Sequence, residues 1–303
     1  MSFEVIASGL QFPEGPIVMP DGSVIVVEIK RGTLTRCWKD KTEVIAKPGG
    51  GPNGAALGPD GAIYLCNNGG FAWHEINGLT IPGLAADDYE TGRIERVDLN
   101  TGKVERVYEG VGGNKLRGPN DIVFEQGGAF WFTDLGKNWP RGKDRGGLYW
   151  AKTDGSEIKE ASYGHVGLNG VGLSPDEKVV YAAETETGKL WAFDITAPGE
   201  VVRSPMGGPS GRCVAVQNYH CFFDSLAVQA NGDVCVATIL NGGITTITPA
   251  GVSTHTPFPD LITTNIAFGG ADMGDAYITL SSTGQLVKAR WPAPGKKLNF
   301  NPY

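Results

Sequence analysis

Residues 120–128 read NDIVFEQGG: a polar pair, a short apolar run and a turn that ends in glycine. Five other segments repeat this order, although the last of them matches it least well. They begin at Glu14, Asn53, Asn169, Asp224 and Thr264, and they read EGPIVMPDG, NGAALGPDG, NGVGLSPDE, DSLAVQANG and TNIAFGGAD. The six copies start 39, 67, 49, 55 and 40 residues apart. Self-similarity at such intervals is the sequence pattern of a repeat architecture.

Each copy is followed by the same series of predicted strands. In the third copy the run FWFTD comes next and then the glycine-led run GLYWAKT, and most copies add a more polar fourth run, such as KVERVYEG in the second. Val, Ile, Tyr, Phe and Thr dominate these runs, and no segment keeps a helical period. The sequence therefore predicts an all-β fold. We expect one domain over residues 1–303, a six-bladed β-propeller of four-stranded antiparallel blades around a central channel. The rival fold, two β-sandwich domains, fits less well because the repeats run along the whole chain.

Two segments compete to complete the last blade. Residues 3–8, FEVIAS, precede the first copy and have the character of a fourth strand, and the tail segment KKLNF at 296–300 is the alternative. Sequence alone leaves this choice open.

The longest interval between copies contains an insertion at 71–90 that the other intervals lack. Such loops at one end of a scaffold often cover a site.

Composition limits the classes of function. The chain has 303 residues with 45 glycines and 19 prolines, a net charge of −7 and an isoelectric point near 5.2. An acidic chain without a basic patch is not expected to bind nucleic acid. The first residues lack the basic and apolar regions of a secretory leader, and no apolar run is long enough to span a membrane. We therefore expect a cytoplasmic protein, with a monomer as the simplest state.

The first residue of each copy is predicted to face the axis, because the first strand of a propeller blade lines the channel. The resulting ring consists of Glu14, Asn53, Asn120, Asn169, Asp224 and Thr264. Hard cations take such oxygen ligands, and Ca²⁺ accepts about 6–8 of them, whereas softer metals favour Cys or His. Two carboxylates in one narrow channel also repel each other unless a cation or a proton neutralises them. The ring therefore predicts one divalent cation, with Ca²⁺ favoured.

A simpler interpretation is that the ring residues only shape turns. The tripeptide PND at 119–121 is typical of turns, as are Asn-Gly pairs, and polar side chains line any water-filled channel. Asn53 and Thr264 fit this interpretation. The two acids at equivalent places, Glu14 and Asp224, favour the metal site.

Taken in order, the segments FPEGP, GPND followed by FWFTD, LNGVGLSPD and FFDSLAVQANGDV resemble motifs of the gluconolactonase/senescence-marker-protein (regucalcin-like) family. The resemblance covers essentially the whole chain. It implies a six-bladed propeller that hydrolyses lactones, commonly sugar lactones, with one divalent metal in the channel. That metal is Ca²⁺ in some members and Zn²⁺, Mn²⁺ or Fe²⁺ in others. The resemblance carries metal ligands over to Glu14, Asn169 and Asp224, and it makes Asn120 a ligand or a substrate contact.

The resemblance leads to a mechanistic hypothesis. The metal would polarise the carbonyl of a small-molecule lactone while Asp224 acts as general base toward the attacking water. Asn120 and Arg117 are candidate substrate contacts, although Arg117 stands where family members often carry a small polar residue. Asp121 is expected to point away from the channel and to fix its loop. Asp134 is expected to be either a strand-end cap or part of the pocket wall.

Two other functions stay open from the sequence. Diisopropyl-fluorophosphatase is similar in fold and site but more distant, so a metal-dependent phosphotriesterase is the first alternative. A non-catalytic interaction propeller is the second. The recurrent Trp-Asp strand ends of such interaction propellers are absent from this sequence, and a binding platform has no need of two acids in its channel.

Overall fold

The computed structural model describes residues 1–39 and 41–301, and within them the regular structure consists of β-strands. Six sheets follow one another along the chain, each led by one of the six sequence repeats. They are antiparallel and four-stranded, except that the fourth carries an additional short strand. The predicted six-bladed β-propeller is confirmed. None of the described residues forms a helix that could cross a membrane.

Blades 1 to 3 run outward from the channel in chain order. From innermost to outermost, their strands are Pro13–Val18, Val24–Glu28, Thr33–Trp38 and Lys41–Ala46 in blade 1; Pro52–Leu57, Ile63–Asn67, Arg93–Val97 and Val104–Tyr108 in blade 2; and Pro119–Phe124, Phe130–Asp134, Gly146–Ala151 and Ile158–His165 in blade 3.

Blades 4 to 6 follow the same plan. Their strands are Leu168–Leu173, Val179–Glu184, Lys189–Ala197 and Arg212–Val216 in blade 4, with Glu200–Val201 added; Phe222–Val228, Val234–Ile239, Gly243–Ile247 and Ser253–Pro257 in blade 5; and Thr263–Gly269, Asp275–Leu280, Gln285–Arg290 and Phe3–Ala7 in blade 6. Two-stranded ribbons lie outside the blades and pair Phe71–Ile76 with Leu79–Ala85, Gly110–Val111 with Asn114–Lys115, and Asn138–Trp139 with Gly142–Lys143.

The N-terminal strand closes the ring of blades. Phe3–Ala7 pairs antiparallel with Gln285–Arg290 and becomes the outermost strand of blade 6. The competing tail segment takes a different position. Lys296 and Leu298 line a cavity inside the channel, next to the C-terminal halves of innermost strands at residues such as Leu173. The tail therefore covers the lower end of the channel, opposite the upper end at which the innermost strands begin.

Apolar side chains fill the spaces between neighbouring blades. The second strand of blade 3 illustrates the pattern, because successive side chains of a strand point to opposite faces. Phe130 and Phe132 pack toward blade 2 in a cluster with Tyr64, and Trp131 packs toward blade 4 in a cluster with Val180. Burial of both faces explains why this run reads as continuously apolar. The packing between neighbouring blades also fixes the positions of the innermost strands around the axis.

Every innermost strand is interrupted by a β-bulge at the ring position. In blade 5, Phe223 pairs with Thr238 and Leu226 pairs with Val236, so one extra residue is accommodated next to Asp224. The same irregularity recurs at the corresponding place in the other blades. A bulge leaves the extra residue outside the ladder and turns side chains in a new direction. Here that direction is the channel axis.

The polar dipeptides at the ring positions are therefore bulges and not turns. The PND segment at 119–121, predicted as a turn, lies within a strand, and so do the Asn-Gly pairs of blades 2 and 4. Glycine is required for space, because a Cβ on Gly54 would lie 2.4 Å from the carbonyl oxygen of Asn120. A Cβ on Gly170 would lie 2.6 Å from the backbone nitrogen of Leu226. The bulge of one blade thus nests against the bulge of the next.

Candidate metal centre

Five of the six ring side chains converge on one cavity at the upper end of the channel. They are Glu14, Asn53, Asn120, Asn169 and Asp224, and the cavity above them has a volume of about 320 Å³. All five residues are buried. The sixth, Thr264, takes part in a hydroxyl cluster, in which it bonds to Thr279 at 2.8 Å and also to Ser281. The structure thus brings together the four predicted metal ligands and Asn53.

Glu14 is held in place by two neighbouring donors. Its Oε2 accepts hydrogen bonds from the backbone N–H of Gly15 and from Nδ2 of Asn265, both at 2.6 Å. Burial raises the pKa of the Glu14 carboxyl above its ordinary value, and these donors only partly oppose the shift. The pKa of Asp224 is also raised well above its usual range, first by burial and then by the charge of Glu14. A cation between the two carboxylates would allow both to be ionised.

Two amide oxygens of the ring have no hydrogen-bond partner within residues 1–39 and 41–301. They are Oδ1 of Asn120 and Oδ1 of Asn169, and both atoms are buried. The Asn169 amide is oriented from its other end, since Nδ2 donates to Oγ1 of Thr185 at 3.2 Å. A buried oxygen without a donor costs roughly 1–3 kcal/mol, and a cation that takes oxygen ligands removes that cost. The residues present therefore fit a hard divalent cation.

This donor set differs from the clusters that bind transition metals. No group of three or more His, Cys, Asp or Glu side chains in the described part of the chain is arranged to hold a metal ion. The four predicted ligands offer two carboxylates and two amides instead. Such a mixture of charged and neutral oxygens suits Ca²⁺ better than Zn²⁺, whose structural sites are built largely from nitrogen and sulfur.

Asp121 points into the channel, so the prediction that it points away is wrong. It lines the cavity below the ring, and its carboxylate accepts hydrogen bonds from the backbone N–H of Ile122 at 3.0 Å and of Val171 at 3.4 Å. The physical reason is the bulge, which turns two consecutive residues toward the axis. Burial, followed by the charge of Glu14, raises the pKa of Asp121 to about 8. A third acid thus lies beneath the two in the ring.

Polar residues at the ends of the second strands fix the loops that lead into the ring. Asp134 accepts hydrogen bonds from the backbone N–H groups of Arg117, Gly118 and Gly136 at 2.7–2.8 Å. Asp134 is therefore a strand-end cap, one of its two predicted roles. Equivalent residues in other blades accept from the backbone in the same way: Glu28 from Gln11, Asn67 from Gly51 and Glu184 from Val166.

Arg117 lies outside the cavity above the ring. Its side chain is exposed and lines a separate surface pocket together with Lys115 and Arg145. Arg117 precedes the innermost strand, in the loop that Asp134 fixes, and this places it away from the bulge. The predicted substrate contact by Arg117 has no support from this arrangement, whereas Asn120 does line the cavity.

Asn265 is a site residue that the sequence analysis missed. It donates to Glu14 from blade 6, the blade whose repeat matches the others least well. A signal was nevertheless present, because Asn265 directly follows Thr264 just as Asp121 directly follows Asn120. In blades 3 and 6 the second residue of the bulge therefore belongs to the site as well as the first.

The inserted segment, whose role the sequence leaves open, covers the cavity from above. Phe71–Ile76 and Leu79–Ala85 form a ribbon, here called the cover ribbon, and both of its strands contribute to the cavity wall. The backbone N–H of Thr80 donates to the carbonyl oxygen of Ser282 in blade 6 at 3.1 Å. An ion pair between Lys30 and Glu75 connects the ribbon to blade 1. The cover ribbon is thus attached to two blades besides its own.

The fold and the site define a class of protein: a six-bladed propeller whose channel carries a ring of carboxylate, amide and hydroxyl oxygens. Residues 12–282 match the model of the SMP-30/Gluconolactonase/LRE-like region. This range includes all six innermost strands and every ring residue. The chain therefore belongs to the SMP-30/gluconolactonase family, in agreement with the resemblance of its motifs.

The chain is similar to curated lactonases. It is 26% identical over 230 residues to the gluconolactonase of Zymomonas mobilis, which covers 65% of this chain and 56% of that protein. It is 26% identical over 210 residues to the lactonase drp35 of Staphylococcus saprophyticus, covering 67% and 57% respectively. The chain thus spans little more than half the length of these two relatives.

The fold is shared with solved structures. The calcium-binding protein regucalcin from Agrobacterium tumefaciens superposes with a TM-score of 0.72 at 16% identity, covering 100% of this chain and 98% of that one. At this level of identity the likeness shows the fold alone.

Proposed function

We propose that this protein is a metal-dependent lactonase, which opens the ring of a small-molecule lactone to the hydroxy acid. The observation that carries the proposal is the pair of buried amide oxygens on Asn120 and Asn169, unpartnered in the described chain, beside the carboxylates of Glu14 and Asp224. Family membership and relatives named gluconolactonase and lactonase support the reaction class. A structural neighbour named a calcium-binding protein supports Ca²⁺ ahead of Zn²⁺, Mn²⁺ or Fe²⁺.

Four side chains are proposed to hold the cation: Glu14, Asn120, Asn169 and Asp224. When bound, the cation supplies Lewis-acid polarisation of the lactone carbonyl. The two carboxylates balance its charge, and the two amides add oxygens without further negative charge. Asn120 also borders the cavity in which the substrate lies, so it is proposed to contact the substrate as well.

Asp224 is the proposed general base. Its carboxylate accepts a proton as water attacks the carbonyl carbon, and it returns that proton to the ring oxygen as the carbon–oxygen bond breaks. Glu14 is less suited to this role because its Oε2 already accepts two hydrogen bonds.

The base assignment is tested by Asp224→Asn. We expect kcat for an unsubstituted γ- or δ-lactone to fall by about 10²–10⁴-fold, the usual contribution of a general base. Asp176→Asn is the matched control, because Asp176 is exposed at a distant turn of blade 4 and should keep the wild-type rate. If Asp224→Asn still binds the cation and turns over normally, Asp224 is not the base.

Metal dependence is tested by chelation followed by re-addition of Ca²⁺, Mn²⁺ or Zn²⁺ one at a time. We expect lactone hydrolysis to be lost and then restored, and the melting temperature to follow the same order. An unchanged rate after complete removal of divalent ions would overturn the metal dependence. A fluorophosphonate assayed in parallel tests the alternative reaction, since faster hydrolysis of that compound than of any lactone would identify a phosphotriesterase.

A further inference from the structure

The cavity above the ring has two chemically different sides. One side is apolar and comes from blades 1, 5 and 6 and the cover ribbon; it consists of Phe12, Ile29, Phe71, Ile81, Ile239 and Ile262. The other side comes from blades 3 and 4 and, apart from Leu135, carries polar side chains such as Asn138, Thr185 and Glu186. A ligand in this cavity therefore meets oxygen ligands below, hydrocarbon on one flank and polar groups on the other.

The apolar side is a packed wall. Its six residues form one cluster with Trp73 of the cover ribbon. The ring centroid of Trp73 lies 5.1 Å from that of Phe12 and 6.1 Å from that of Phe71. Because interdigitated side chains keep their positions, this wall discriminates between ligands by shape and polarity.

The charged groups on the polar side neutralise each other. Lys143 is the one cation that lines the cavity within the described part of the chain, and its Nζ donates to Glu186. Arg117 lies in a different pocket. A carboxylate or phosphate on the substrate therefore finds no free cationic partner among these side chains.

Polyhydroxylated lactones carry hydroxyl groups around the ring, so some of these groups face the apolar wall even when others face the polar side. A hydroxyl group turned toward the apolar wall loses its hydrogen bonds to water and gains none in return, which is unfavourable. An alkyl or aryl group in the same place removes its own surface and that of the wall from water. The wall thus favours hydrocarbon over hydroxyl on the part of the substrate that projects from the lactone ring.

We propose that the substrates of this site are neutral lactones that carry an alkyl or aryl substituent. The part of this inference that concerns hydrolysis rests on the proposed lactonase function. The part that concerns substrate selectivity rests on the apolar wall. The lactone carbonyl lies at the ring of oxygens, and the substituent extends along Phe71 and Ile81 of the cover ribbon toward Ile239 and Ile262.

The selectivity is tested with δ-lactones that share one ring. Unsubstituted δ-valerolactone, a series with alkyl chains of increasing length, and glucono-δ-lactone are compared by kcat/KM. We expect kcat/KM to rise by about fourfold for each added methylene until the cavity is filled, and glucono-δ-lactone to be the poorest substrate. A flat series, or a preference for glucono-δ-lactone, would overturn the proposal.

A substitution in the wall tests whether these residues cause the selectivity. Ile81→Ser should lower the kcat/KM ratio of a hexyl-substituted lactone to δ-valerolactone by about tenfold, and Ile81→Leu should keep the ratio. Ile81 lies in the cover ribbon, outside the blades, so the propeller sheets stay intact. An equal loss for both substrates would show that Ile81 acts only on structure and would contradict its place in the wall.

A non-hydrolysable series separates the selectivity from the reaction. Alkyl-substituted δ-valerolactams keep the ring and the carbonyl, and their binding is measured by calorimetry in the presence of Ca²⁺. Affinity that grows with chain length supports the apolar wall even if no lactone is hydrolysed, in which case the proposed reaction alone fails. Affinity that is independent of chain length overturns the wall even if lactones are hydrolysed.

Discussion

At the scale of single residues, some oxygens of the ring have hydrogen-bond donors within the described chain and others have none. Oδ1 of Asn120 is buried without a partner in the described chain. Asn120→Leu should therefore lower Ca²⁺ affinity, by an amount on the order of tenfold to a hundredfold for a lost ligand. It should leave the cation-free protein as stable as the wild type, or more stable by about 1 kcal/mol, because an unsatisfied oxygen is removed.

The comparison variant is Asn53→Leu, a change of the same kind in the same ring. Asn53 lines the cavity but is not among the proposed ligands, so this variant should keep Ca²⁺ affinity close to that of the wild type. Calorimetry gives the affinities, and thermal unfolding with and without Ca²⁺ gives the stabilities. Equal losses of affinity in the two variants would contradict the assignment of Asn120 as a ligand.

A second residue-scale prediction concerns pH. His165 is buried beside the rings of Trp191 and Phe193, and its Nε2 is 2.9 Å from Oγ of Ser162. Burial lowers the pKa of His165 to about 4, although the Glu184 carboxylate opposes the shift. The unfolded chain, with a histidine pKa near 6.5, therefore binds a proton at a higher pH than the folded protein does. This contribution to stability is present above pH 6.5 and is lost as the pH falls toward 4.

The measurement is the free energy of unfolding at pH 7 and pH 5. The wild type should lose about 2 kcal/mol more than His165→Gln over this interval, because the variant lacks the titrating group. The Glu184 carboxylate titrates below this window, since its own pKa is lowered by hydrogen bonds to Thr187 and Val166 that outweigh its burial. Identical pH dependence in the two proteins would contradict the lowered pKa.

Sequence could identify the ring residues but not all of their neighbours. Repeat equivalence identifies the six ring residues, and the resemblance to the family selects Glu14, Asn120, Asn169 and Asp224 among them. The direction of Asp121 follows from neither, because it depends on a bulge that sets two residues against one on the next strand.

At the scale of elements, the cover ribbon depends on a buried lysine at its base. Nζ of Lys137 donates to the carbonyl oxygen of Gly70 at 2.6 Å and to Oδ1 of Asn68 at 3.1 Å. The centroid of the Phe71 ring lies 3.7 Å from the same nitrogen, a cation–π contact. Burial lowers the pKa of Lys137 to about 7. Lys137 thus connects blade 3 to the start of the cover ribbon.

Lys137→Met removes this connection while keeping much of the side-chain volume. We expect amide hydrogen exchange over residues 71–85 to accelerate by at least about tenfold, since one charged hydrogen bond contributes roughly 1.5–3 kcal/mol. Lys178→Met is the control, because Lys178 is exposed in blade 4. Unchanged protection of the ribbon in Lys137→Met would mean that the contacts to blades 1 and 6 suffice to hold it.

The hairpin structure of the cover ribbon could be predicted from the sequence. Asn77 and Gly78 at its tip have φ angles of +54° and +78°, the two positive values of a type I′ hairpin turn, which favours Asn-Gly. The same dipeptide at 53–54 lies inside a strand. The strands that pair around each dipeptide distinguish the hairpin turn at 77–78 from the bulge at 53–54. A single sequence does not show which strands pair.

At the scale of the whole molecule, stability depends on the closure between the two ends of the described chain. Phe3–Ala7 supplies the outermost strand of blade 6. Deletion of residues 1–7 should lower the free energy of unfolding by about 3 kcal/mol, because several backbone hydrogen bonds contribute about 1 kcal/mol each. It should also expose the edge of Gln285–Arg290 and promote association. Deletion of residues 1–2 alone, which precede the strand, is the control for denaturant unfolding and light scattering. Equal stability of the two truncated proteins would contradict closure by this strand.

The architecture was predictable from the sequence, but its closure was not. Six repeats give six blades because each repeat buries its faces only against its neighbours. The segments at 3–8 and 296–300 are both short, and each could form a strand. The choice between them depends on contacts across almost the entire length of the chain, such as the pairing of Val5 with Val287.

The bulge at each ring position separates the chemistry of the channel from the architecture around it. Five of the six ring residues have no pairing partner in the strand ladder, and Glu14 pairs with Val27, so we expect a replacement at a ring position to leave the register of the sheets unchanged. This chain already presents glutamate, asparagine, aspartate and threonine at one geometrical place. Mutation can therefore vary the channel one blade at a time without rebuilding the sheets. The same freedom is open to protein engineering, where the charge of the ring is adjustable on an unaltered scaffold.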